Sequence, residues 1–547
     1  MRIACVGGGP AGLFLALLLA RTGRHDVRVF ERDRENASYG FGVVFSRLSA
    51  ARLRAVAPDV VEEILSHGVR WQDVAVRAWN GAEARSSGHA FGAVERQAML
   101  RVLRKHAVAA GVHVVQPAAV TALSDLHGYD LVVAADGAGS SIRQELAAEL
   151  NPTVHYGATR YAWFGVERRF DCMTFLMAQG PHGPLGAHVY PYSSTHCTFL
   201  VEAPLRVWRD AGFASGGPLA PGATDPRALR YCEDVFARDL GGARLIGNGS
   251  RWLEFSEVRN AHWSWRNVVL IGDAAHTAHF SVGCGTSTAM EDAAELARCL
   301  SRFELVPDAL RAYEAARKPV VANLQASAWA SSQTWASLEH EAGRDAGEIL
   351  LRLLTRTAQT DLDLLDKLDK SFAQNRAARQ SAPLVAAELS SQAPSEPCTT
   401  LVSAQEIEAL SPERASQSAA LALVVSSAAA DPRATAAALK QLRSRARERP
   451  VGIFVLANGS TGPAGELERW SSWLATLREL APLDLVAIGS TRSDAAASAV
   501  QMLLCELVRS KLQLPAIYAC PQSRLSHART HVAAARADRI WITRSTP

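Results

Sequence analysis

Three glycines near the start of the chain have the spacing of a phosphate-binding turn. Gly7, Gly9 and Gly12 form the pattern G-x-G-x-x-G directly after the apolar run RIACV and before an apolar helical pattern. Glycine permits a tight turn and close approach of the backbone to a pyrophosphate, and the helix then presents its N-terminus to the negative charge. Glu31, with Arg32 beside it, ends the next apolar run about 20 residues further on, where a carboxylate can accept hydrogen bonds from a ribose. The spacing predicts a dinucleotide-binding site.

Two short loops that combine aspartate with glycine follow later apolar runs. In DGAGSSIR the strand delivers Asp136 to its C-terminal end, and Gly137 permits a sharp turn. In GDAAH, Gly272 permits close packing, and Asp273 can accept hydrogen bonds from the ribityl chain of a flavin. Taken singly, an Asp-Gly pair after a strand is also typical of an ordinary turn. Both loops are candidates for further contacts with the same cofactor.

The segment after GDAAH combines a polar loop with the start of a helix. Gly283 and Gly285 begin that helix, whose first turn can point N–H groups at the pyrimidine end of a flavin, where negative charge develops on reduction. The preceding loop carries His279 and Phe280, which we predict to be the catalytic pair. Phe280 offers an aromatic wall, and His279 offers a hydrogen-bond donor or acceptor to a phenol, an aniline or a thioester carbonyl. The alternative is that His279 only braces the loop, as we expect for His276.

The elements around these loops predict an α/β fold. RIACV, the helical pattern after it and DVRVFERD form a βαβ opening, and YDLVVAA is a further buried strand. Residues 155–260 are rich in aromatic and β-branched residues with frequent turns, which favours antiparallel strands. After VVLIGDAAH the pattern is helical to about residue 375. We expect a Rossmann-like FAD-binding domain over residues 1–155 and 256–380, and an antiparallel β-sheet substrate domain over 156–255.

The C-terminal part of the chain has a different composition. Residues 381–416 are rich in Ala, Ser, Pro and Gln with few aromatics, which predicts a linker. Over residues 417–547, apolar runs such as VGIFVLA, LDLVAIG and RIWIT alternate with helical patterns. This alternation predicts β/α units.

Composition and charge exclude several classes of function. The 547 residues carry 58 Lys and Arg against 54 Asp and Glu, a formal charge of +4, so no nucleic-acid partner is indicated. The longest apolar helical run, LFLALLLA, is too short to cross a membrane, and Gly and Pro interrupt the N-terminal apolar run too early for a signal peptide. The nine cysteines include no C-x-x-C pair, which favours reduced thiols in a cytoplasmic protein and indicates no metal site.

The three loops, in this order and spacing, resemble those of the class A flavoprotein aromatic hydroxylases, which share the para-hydroxybenzoate hydroxylase fold. Arg96, in VERQAMLRVL, matches the arginine that this family places against the cofactor phosphates or ribityl chain. The segments GVVFS, YAWFGVERRFD, AHVYPYSSTHCTFLVEA and GDAAHTAHF are similar to a subgroup that contains salicylyl-CoA 5-hydroxylase and 2-aminobenzoyl-CoA monooxygenase/reductase. In that subgroup a His-Phe pair replaces the Pro-Pro of other members. The resemblance covers about residues 1–375.

The resemblance implies an enzyme that binds FAD non-covalently and meets NADH or NADPH only transiently. It would hydroxylate an aromatic ring with O2 through a flavin C4a-hydroperoxide, and the subgroup points to an aromatic acyl-CoA thioester of the salicylyl or 2-aminobenzoyl type. Within the similar segments, Phe45, Ser46 and Tyr190 are expected to contact the substrate together with the His-Phe pair. A free aromatic or heteroaromatic natural-product intermediate, a non-oxygenating flavin reductase and a homodimeric assembly stay open.

The C-terminal segments PVGIFVLANG, LPAIYACPQS and AAARADRIWITR resemble the second half of an old-yellow-enzyme (β/α)8 barrel. Phe454 stands where that family has an arginine against its flavin, and the glycine of its phosphate loop is lost around Cys520-Pro521. About 130 residues are too few for a closed barrel of this type, which takes roughly 250. We therefore expect a degenerate half-barrel without FMN over residues 417–547.

Overall fold

The computed structural model divides the chain into two compact units, Met1–Ala346 and Gly347–Pro547. Each unit has its own sheets and its own apolar core. In the described part of the chain, no helix is long and apolar enough to cross a membrane. The structure describes all residues except 35–39, 218, 221, 379–383, 389–398, 404–419, 427–429, 447–449, 458–462, 491, 493, 534–535, 538 and 544–547.

A six-stranded sheet lies at the centre of the first unit. Neighbouring strands of this sheet are parallel, except that Ser264–Trp265 at one edge is antiparallel to Val268–Leu270. Several strands are short apolar runs that are buried on both faces, as a parallel sheet covered by helices requires. The three loops predicted to hold the cofactor all leave the C-terminal ends of adjacent strands and therefore meet along one edge. The strand order is Ser264–Trp265, Val268–Leu270, Leu131–Ala134, Arg2–Val6, Asp26–Phe30 and His113–Val115.

Helices pack around this sheet. Pro10–Arg21 has proline in its first turn, where the missing N–H costs nothing, and packs its apolar surface against Gly285–Arg302. These two helices follow the first and third cofactor loops, so their contact helps to fix the distance between the loops. The helices of the unit are Pro10–Arg21, Arg47–Val56, Pro58–Ser66, Arg96–Ala109, Ser141–Glu145, Ala147–Leu150, Leu205–Asp210, Pro226–Val235, Ala237–Leu240, Gly285–Arg302 and Val306–Ala336.

A second, mainly antiparallel sheet forms the other half of the unit. One face packs on the short helices through apolar side chains such as Phe164 and Phe199. The other face carries Tyr161, Glu202 and His188, which contact the loop around residue 280. Its strand order is Leu245–Ile246, Pro152–Val166, Cys197–Pro204, Gly183–Pro191, Met173–Gly180, Val74–Arg77 and Glu83–Ser86, with Leu253–Asn260 paired to Pro152–Val166.

This sheet takes strands from outside the range 156–255 that was predicted for the substrate domain. Val74–Arg77 pairs in parallel with Met173–Gly180, so a strand from the N-terminal part of the chain extends the sheet. Backbone pairing between distant segments decides this boundary, and the local pattern of residues does not reveal it. A small third sheet has the order Gly42–Ser46, Phe91–Glu95 and Val69–Trp71.

The second unit is a barrel of parallel strands that closes on itself. The interior holds apolar side chains, among them Phe454, which is 1% exposed. A Cβ atom on Gly489 would lie 2.7 Å from the Phe454 ring, so the two residues fill the same layer. The strand order is Leu384–Glu388, Thr399–Val402, Ala420–Val425, Val451–Leu456, Leu485–Gly489, Ala516–Pro521 and Arg539–Thr543. The helices are Ala346–Leu354, Leu362–Leu368, Lys370–Ala378, Pro432–Ala446, Pro463–Leu480, Ala495–Ser510 and Leu525–Ala533.

Two expectations for this part of the chain are wrong. Leu384–Glu388 and Thr399–Val402 lie within the predicted linker 381–416 but are strands of the barrel. With these strands the barrel closes, so it is not the open half-barrel predicted for 417–547, and the unit begins at Gly347. A short strand whose backbone is paired on both sides can consist of small and polar residues. The composition of this segment therefore suggested a linker although it contains two strands. The resemblance to an old yellow enzyme stays a prediction.

The unit boundary predicts how truncated chains behave. A chain ending at Ala346 should fold and purify with flavin, because the three sheets of the first unit and the three cofactor loops lie before that residue. A chain ending at residue 416 should aggregate, because it keeps Leu384–Glu388 and Thr399–Val402 without the barrel strands that cover their edges. Size-exclusion chromatography and flavin absorbance compare the two proteins. A soluble 1–416 chain beside an insoluble 1–346 chain would show that the boundary is misplaced.

Candidate active site

The glycine-rich turn packs so closely that only glycine fits at two of its positions. Gly7 has φ +110°, and a Cβ atom there would lie 2.3 Å from the carbonyl oxygen of Ala135. A Cβ on Gly12 would lie 2.0 Å from the carbonyl oxygen of Gly7. At Gly9, by contrast, a Cβ would meet nothing within 4 Å. The turn therefore leaves open space beside Gly9, where the pyrophosphate was predicted.

The backbone holds Glu31 at the end of its strand. Its Oε2 accepts a hydrogen bond from the N–H of Gly8 at 2.7 Å, and its Oε1 accepts one from the N–H of Asp33 at 2.8 Å. Each carboxylate oxygen can accept a second hydrogen bond, so the predicted contact with a ribose is compatible with this arrangement. The side chain of Arg32 is 74% exposed and lies 3.8 Å from Asp33, so its cofactor contact stays a prediction.

Asp273 and Arg96 lie close enough for their charges to interact. The Asp273 side chain is accessible to solvent, yet burial raises its pKa, and the positive charges of His276 and Arg96 oppose that rise. Both observations fit a carboxylate that lines a deep cavity. Arg96 begins the helix Arg96–Ala109, and burial lowers its pKa while the charge of Asp273 opposes the shift. The pair offers an acceptor and a cation where the ribityl chain and phosphates were predicted.

The second loop is anchored by Asp136. Its Oδ2 accepts a hydrogen bond from the N–H of Ser141 at 2.9 Å, whereas its buried Oδ1 has no hydrogen-bond partner among the described residues. A buried oxygen without a donor is costly, so a ligand that supplies one would stabilise the loop. Gly137 has φ +82°, which makes the sharp turn predicted from its sequence. Arg143, which the sequence analysis did not single out, donates from Nη1 to the carbonyl oxygen of Ala274 at 3.0 Å and thus ties the second loop to the third.

A buried ionic cluster braces the third loop. Asp292 accepts a hydrogen bond from the N–H of Gly272 at 3.2 Å, lies 2.7 Å from Nε2 of His276 and accepts another from Nε of Arg317 at 2.7 Å. Burial raises the pKa of Asp292, but the charges and hydrogen bonds of His276 and Arg317 outweigh it and hold the pKa below its usual range. His276 also stacks on Trp263. These contacts assign His276 the supporting role expected from the sequence.

The helix Gly285–Arg302 starts beside open space. Gly283 has φ +66°, and a Cβ on Gly283 or Gly285 would meet nothing within 4 Å. The residue at the N-cap, Cys284, makes no side-chain cap, so its side chain satisfies none of the first N–H groups of the helix. These groups can donate to an anionic ligand, as predicted.

Together these features fit a flavin dinucleotide. The chain offers open backbone at Gly9 and Gly285, an unpartnered acceptor at Asp136, an accessible carboxylate at Asp273 and a cation at Arg96. When bound, FAD would lie along the edge where the three loops meet. The donor and acceptor set is that of a phosphate- and polyol-binding cleft, and no group of three or more His, Cys, Asp or Glu side chains in the described part is arranged to hold a metal ion.

His279 is enclosed by protein groups on both nitrogens. Its side chain is 3% exposed, and Nδ1 lies 2.8 Å from Oγ of Ser281. Nε2 lies 3.4 Å from Oε1 of Glu202, which is ion-pairing distance, and makes no hydrogen bond to a described residue. Neither nitrogen faces open space, so the structure does not support the predicted direct contact between His279 and a substituent of the substrate ring. The geometry favours the alternative, in which His279 braces the loop.

Phe280 lies against the antiparallel sheet with its ring partly exposed. The ring centroid is 4.6 Å from that of Tyr161 and 6.0 Å from that of Phe255. The Tyr161 hydroxyl makes no hydrogen bond to a described residue, and burial, with the charges of Asp273 and Glu202, raises its pKa to about 12. Tyr161 therefore stays a hydrogen-bond donor at neutral pH. Phe280 and Tyr161 form an aromatic wall on the side of Asp273, which suits the wall predicted for Phe280.

The other predicted substrate residues are occupied elsewhere. Phe45 is 3% exposed and belongs to the core of the first unit, so its predicted contact with substrate is not supported. Ser46 caps the helix Arg47–Val56 by accepting a hydrogen bond from the N–H of Ser49 at 3.1 Å. Tyr190 lies on the same sheet face as Tyr161, but its hydroxyl donates to the carbonyl oxygen of Gly42 at 2.9 Å. These hydrogen bonds leave Ser46 and Tyr190 with structural roles in this arrangement.

A family model described as "FAD binding domain" matches residues 1–328. The chain belongs to this family. The predicted FAD cofactor and the predicted flavoprotein hydroxylase fold are thereby confirmed. Two solved structures with this fold are 2-methyl-3-hydroxypyridine-5-carboxylic acid oxygenase (TM-score 0.50, 19% identity, 63% of this chain and 93% of that one) and p-nitrophenol 4-monooxygenase from Pseudomonas putida (TM-score 0.52, 18% identity, 68% and 96%).

Curated relatives of known activity are more similar in sequence. Salicyloyl-CoA 5-hydroxylase from a Streptomyces species is 42% identical over 339 residues, which cover 61% of this chain and 65% of that protein. The 3-hydroxy-4-methyl-anthranilyl-[aryl-carrier protein] 5-monooxygenase of Streptosporangium sibiricum is 41% identical over 326 residues, covering 59% and 86%. The matched region thus spans just under two thirds of the first relative. Both relatives are named as oxygenases of aromatic acyl groups, which agrees with the resemblance found in the sequence.

Gly9 offers a direct test of the cofactor cleft. Its backbone has φ −75° and ψ −177°, which valine also adopts, and no protein atom would touch the new Cβ. Gly9→Val should therefore fold normally but lose most of its FAD, because the side chain enters the space of the pyrophosphate. The ratio of flavin to protein absorbance and the melting temperature measure both effects. Gly217→Val, which also introduces a Cβ into open space, is the matched control and should keep its flavin. Full flavin content in Gly9→Val would place the cofactor elsewhere.

Proposed function

We propose that the protein is an FAD-dependent monooxygenase that uses NAD(P)H and O2 to hydroxylate the ring of an aromatic acyl thioester, carried by coenzyme A or by a carrier protein. The observation that carries the proposal is the aromatic wall of Phe280 and Tyr161 on the side of the cofactor carboxylate Asp273. Bound FAD supplies the redox chemistry with O2. The proposed location is the cytoplasm, where NAD(P)H and such thioesters are found.

The protein's own part is to hold the ring and to keep water away from it. Phe280, Tyr161 and Phe255 provide apolar surface that favours a planar aromatic ligand. The Tyr161 hydroxyl is a donor that can meet a ring hydroxyl, an amine or an acyl carbonyl. A ring held in one orientation reacts at one carbon, and a dry cavity strengthens each polar contact with it.

Three strands of the sheet place no lysine or arginine on the face toward Phe280. In Pro152–Val166, Gly183–Pro191 and Cys197–Pro204 the strand register places on this face the described positions 159, 161, 163, 186, 188, 190, 198, 200 and 202, none of which is Lys or Arg. A benzoate-type substrate would need such a partner, because a carboxylate in a dry cavity is costly unless it is paired. Glu202 on the same face adds a negative charge. An uncharged acyl group, as in a thioester, fits this surface better than a free acid.

The arginines near this sheet are paired within the protein. Arg160 forms an ion pair with Glu254 at 2.7 Å and lies over the ring of Trp208. Arg169 pairs with Asp171, and Arg168 lies over Phe170. Each of these side chains thus has an acidic or aromatic neighbour of its own, which does not favour them as a pocket for the phosphates of coenzyme A.

The proposal is tested by the dependence of flavin chemistry on the acyl group. Salicyloyl-CoA and salicylate are compared for the rate of anaerobic flavin reduction by NADH and by NADPH, then for O2 consumption and ring hydroxylation by mass spectrometry. We expect the thioester to accelerate flavin reduction at least tenfold and to yield hydroxylated product, with little effect of the free acid. A preference for the free acid would contradict the thioester proposal. Reduction without any oxygenated product from a panel of aromatic thioesters and acids would point to a reductase.

Phe280→Ala should weaken ligand binding while leaving FAD in place. Removing a partly buried aromatic wall costs about 1–3 kcal/mol of binding free energy, or roughly a 5- to 150-fold rise in dissociation constant. The affinity for benzoyl-CoA is measured from the change in flavin absorbance on titration. Phe303→Ala removes another partly buried ring, just after the helix Gly285–Arg302, and serves as the control. Equal affinities in the wild type and Phe280→Ala would remove Phe280 from the binding site.

A further inference from the structure

A chain of buried polar side chains runs behind Phe280. Oγ of Ser331 lies 2.7 Å from Oγ of Ser281, which lies 2.8 Å from Nδ1 of His279. Nε2 of His279 lies 3.4 Å from Glu202, and the second oxygen of Glu202 lies 3.2 Å from Nε2 of His188. All five side chains are buried. The mechanism described above uses none of them directly.

Glu202 is the charged centre of this chain. It is 0% exposed, and its Oε1 also accepts a hydrogen bond from Oγ1 of Thr159 at 2.7 Å. Burial raises the pKa of Glu202, but the charges of His279 and His188 and the hydrogen bond of His188 outweigh it and bring the pKa to about 2. A carboxylate that stays ionised without water depends strongly on its partners, because losing one leaves an uncompensated buried charge.

The chain joins three separate elements of the first unit. Ser331 lies in the helix Val306–Ala336, His279 in the loop after GDAAH, and Glu202 on the strand Cys197–Pro204. Phe280 is next to His279, and its ring rests on Tyr161. Tyr161 is paired directly across the sheet from Glu202. The same carboxylate is therefore adjacent to both halves of the aromatic wall.

We propose that Glu202 is a positioning residue, which acts through His279 to fix Phe280 against Tyr161 and so sets where the aromatic ring sits relative to the flavin. This inference rests on the proposed hydroxylase function for its effect on product. Its effect on the loop does not depend on that function. A loop released from Glu202 would leave the cofactor contacts at Gly9 and Asp273 intact but would let the ring move.

A displaced ring has a measurable consequence. Small shifts of a reacting group can cost about a hundredfold in rate. In an oxygenase, NADH reduces O2 in every turnover, and oxygen that is not transferred to the ring is released as hydrogen peroxide. The fraction of NADH that ends in hydroxylated product therefore reports the position of the ring, whereas a loss of stability alone lowers the amount of active enzyme without changing that fraction.

The test compares Glu202→Gln with Asp239→Asn in the FAD-loaded full-length protein. Asp239 is also a buried carboxylate of the first unit, 2% exposed and paired with Arg77 at 3.0 Å, but it has no contact with the loop in the described structure. Hydrogen exchange of the peptide spanning residues 276–283 measures the loop without any catalysis. Product and peroxide per NADH, with salicyloyl-CoA, measure ring placement.

We expect Glu202→Gln to keep its FAD, to speed exchange of the loop peptide at least tenfold and to lower product per NADH at least twofold, with peroxide rising to match. Asp239→Asn should leave the exchange of the loop peptide and the product per NADH unchanged. The proposal would be overturned if loop exchange and product per NADH were unchanged in Glu202→Gln, or if they changed equally in both variants.

If Glu202→Gln does not fold, Ser331→Ala removes the other end of the chain of polar side chains. It should give the same effects at smaller size. Normal loop exchange and normal product per NADH in that variant would overturn the proposal as well. If no thioester is hydroxylated by the wild type, the proposed function fails and loop exchange alone decides the role of Glu202.

Discussion

The cofactor cleft depends on the buried Asp292 carboxylate. It joins the backbone N–H of Gly272 to His276 and Arg317, and so connects the third loop to two long helices. Removing one partner from a buried ion pair typically costs about 3–5 kcal/mol, since the remaining charge is left without compensation. Gly272 sits at φ +58°, and a Cβ atom there would lie 3.0 Å from Cβ of Ala289 and 3.2 Å from Cβ of Ala11, so this end of the strand has little room. Everything that follows Gly272, from Asp273 to Phe280, takes its position from this point.

The parts of the site that could be predicted from sequence are those fixed by local backbone geometry. Gly7, Gly12 and Gly137 are required by close approaches or positive φ angles, and such requirements leave a spacing that can be recognised. Arg143 and Glu202 were not predicted, because their roles come from partners more distant in the chain, such as Ala274 and His279. For the same reason His279 was predicted to contact the substrate: its partner Glu202, and the contact between Ser281 beside it and Ser331, could not be read from the local sequence.

The barrel shows a different limit. Runs such as VGIFVLA are long and apolar, and they were predicted as strands. LVAAE and TTLV are short and contain small or polar residues, and their composition matches that of a linker. They become strands because a closed barrel pairs every edge, which satisfies backbone groups whatever the side chains are. Closure is a property of the whole ring of strands, and no single segment carries it.

Two carboxylates near the proposed substrate have opposite environments. Burial raises the pKa of Asp273, and the cations near it only partly oppose the shift, whereas His279 and His188 hold Glu202 ionised with a pKa of about 2. Asp273 is accessible to a ligand and can accept or share a proton, while Glu202 is sealed behind the aromatic wall and acts only through its charge and its hydrogen bonds. Burial, together with the charges of both carboxylates, raises the pKa of Tyr161 and keeps its hydroxyl protonated. A donor hydroxyl on the wall, and no lysine or arginine at the described positions of the three strands beside it, favour a neutral ring over an anionic one, because a carboxylate in a dry cavity is costly unless it is paired.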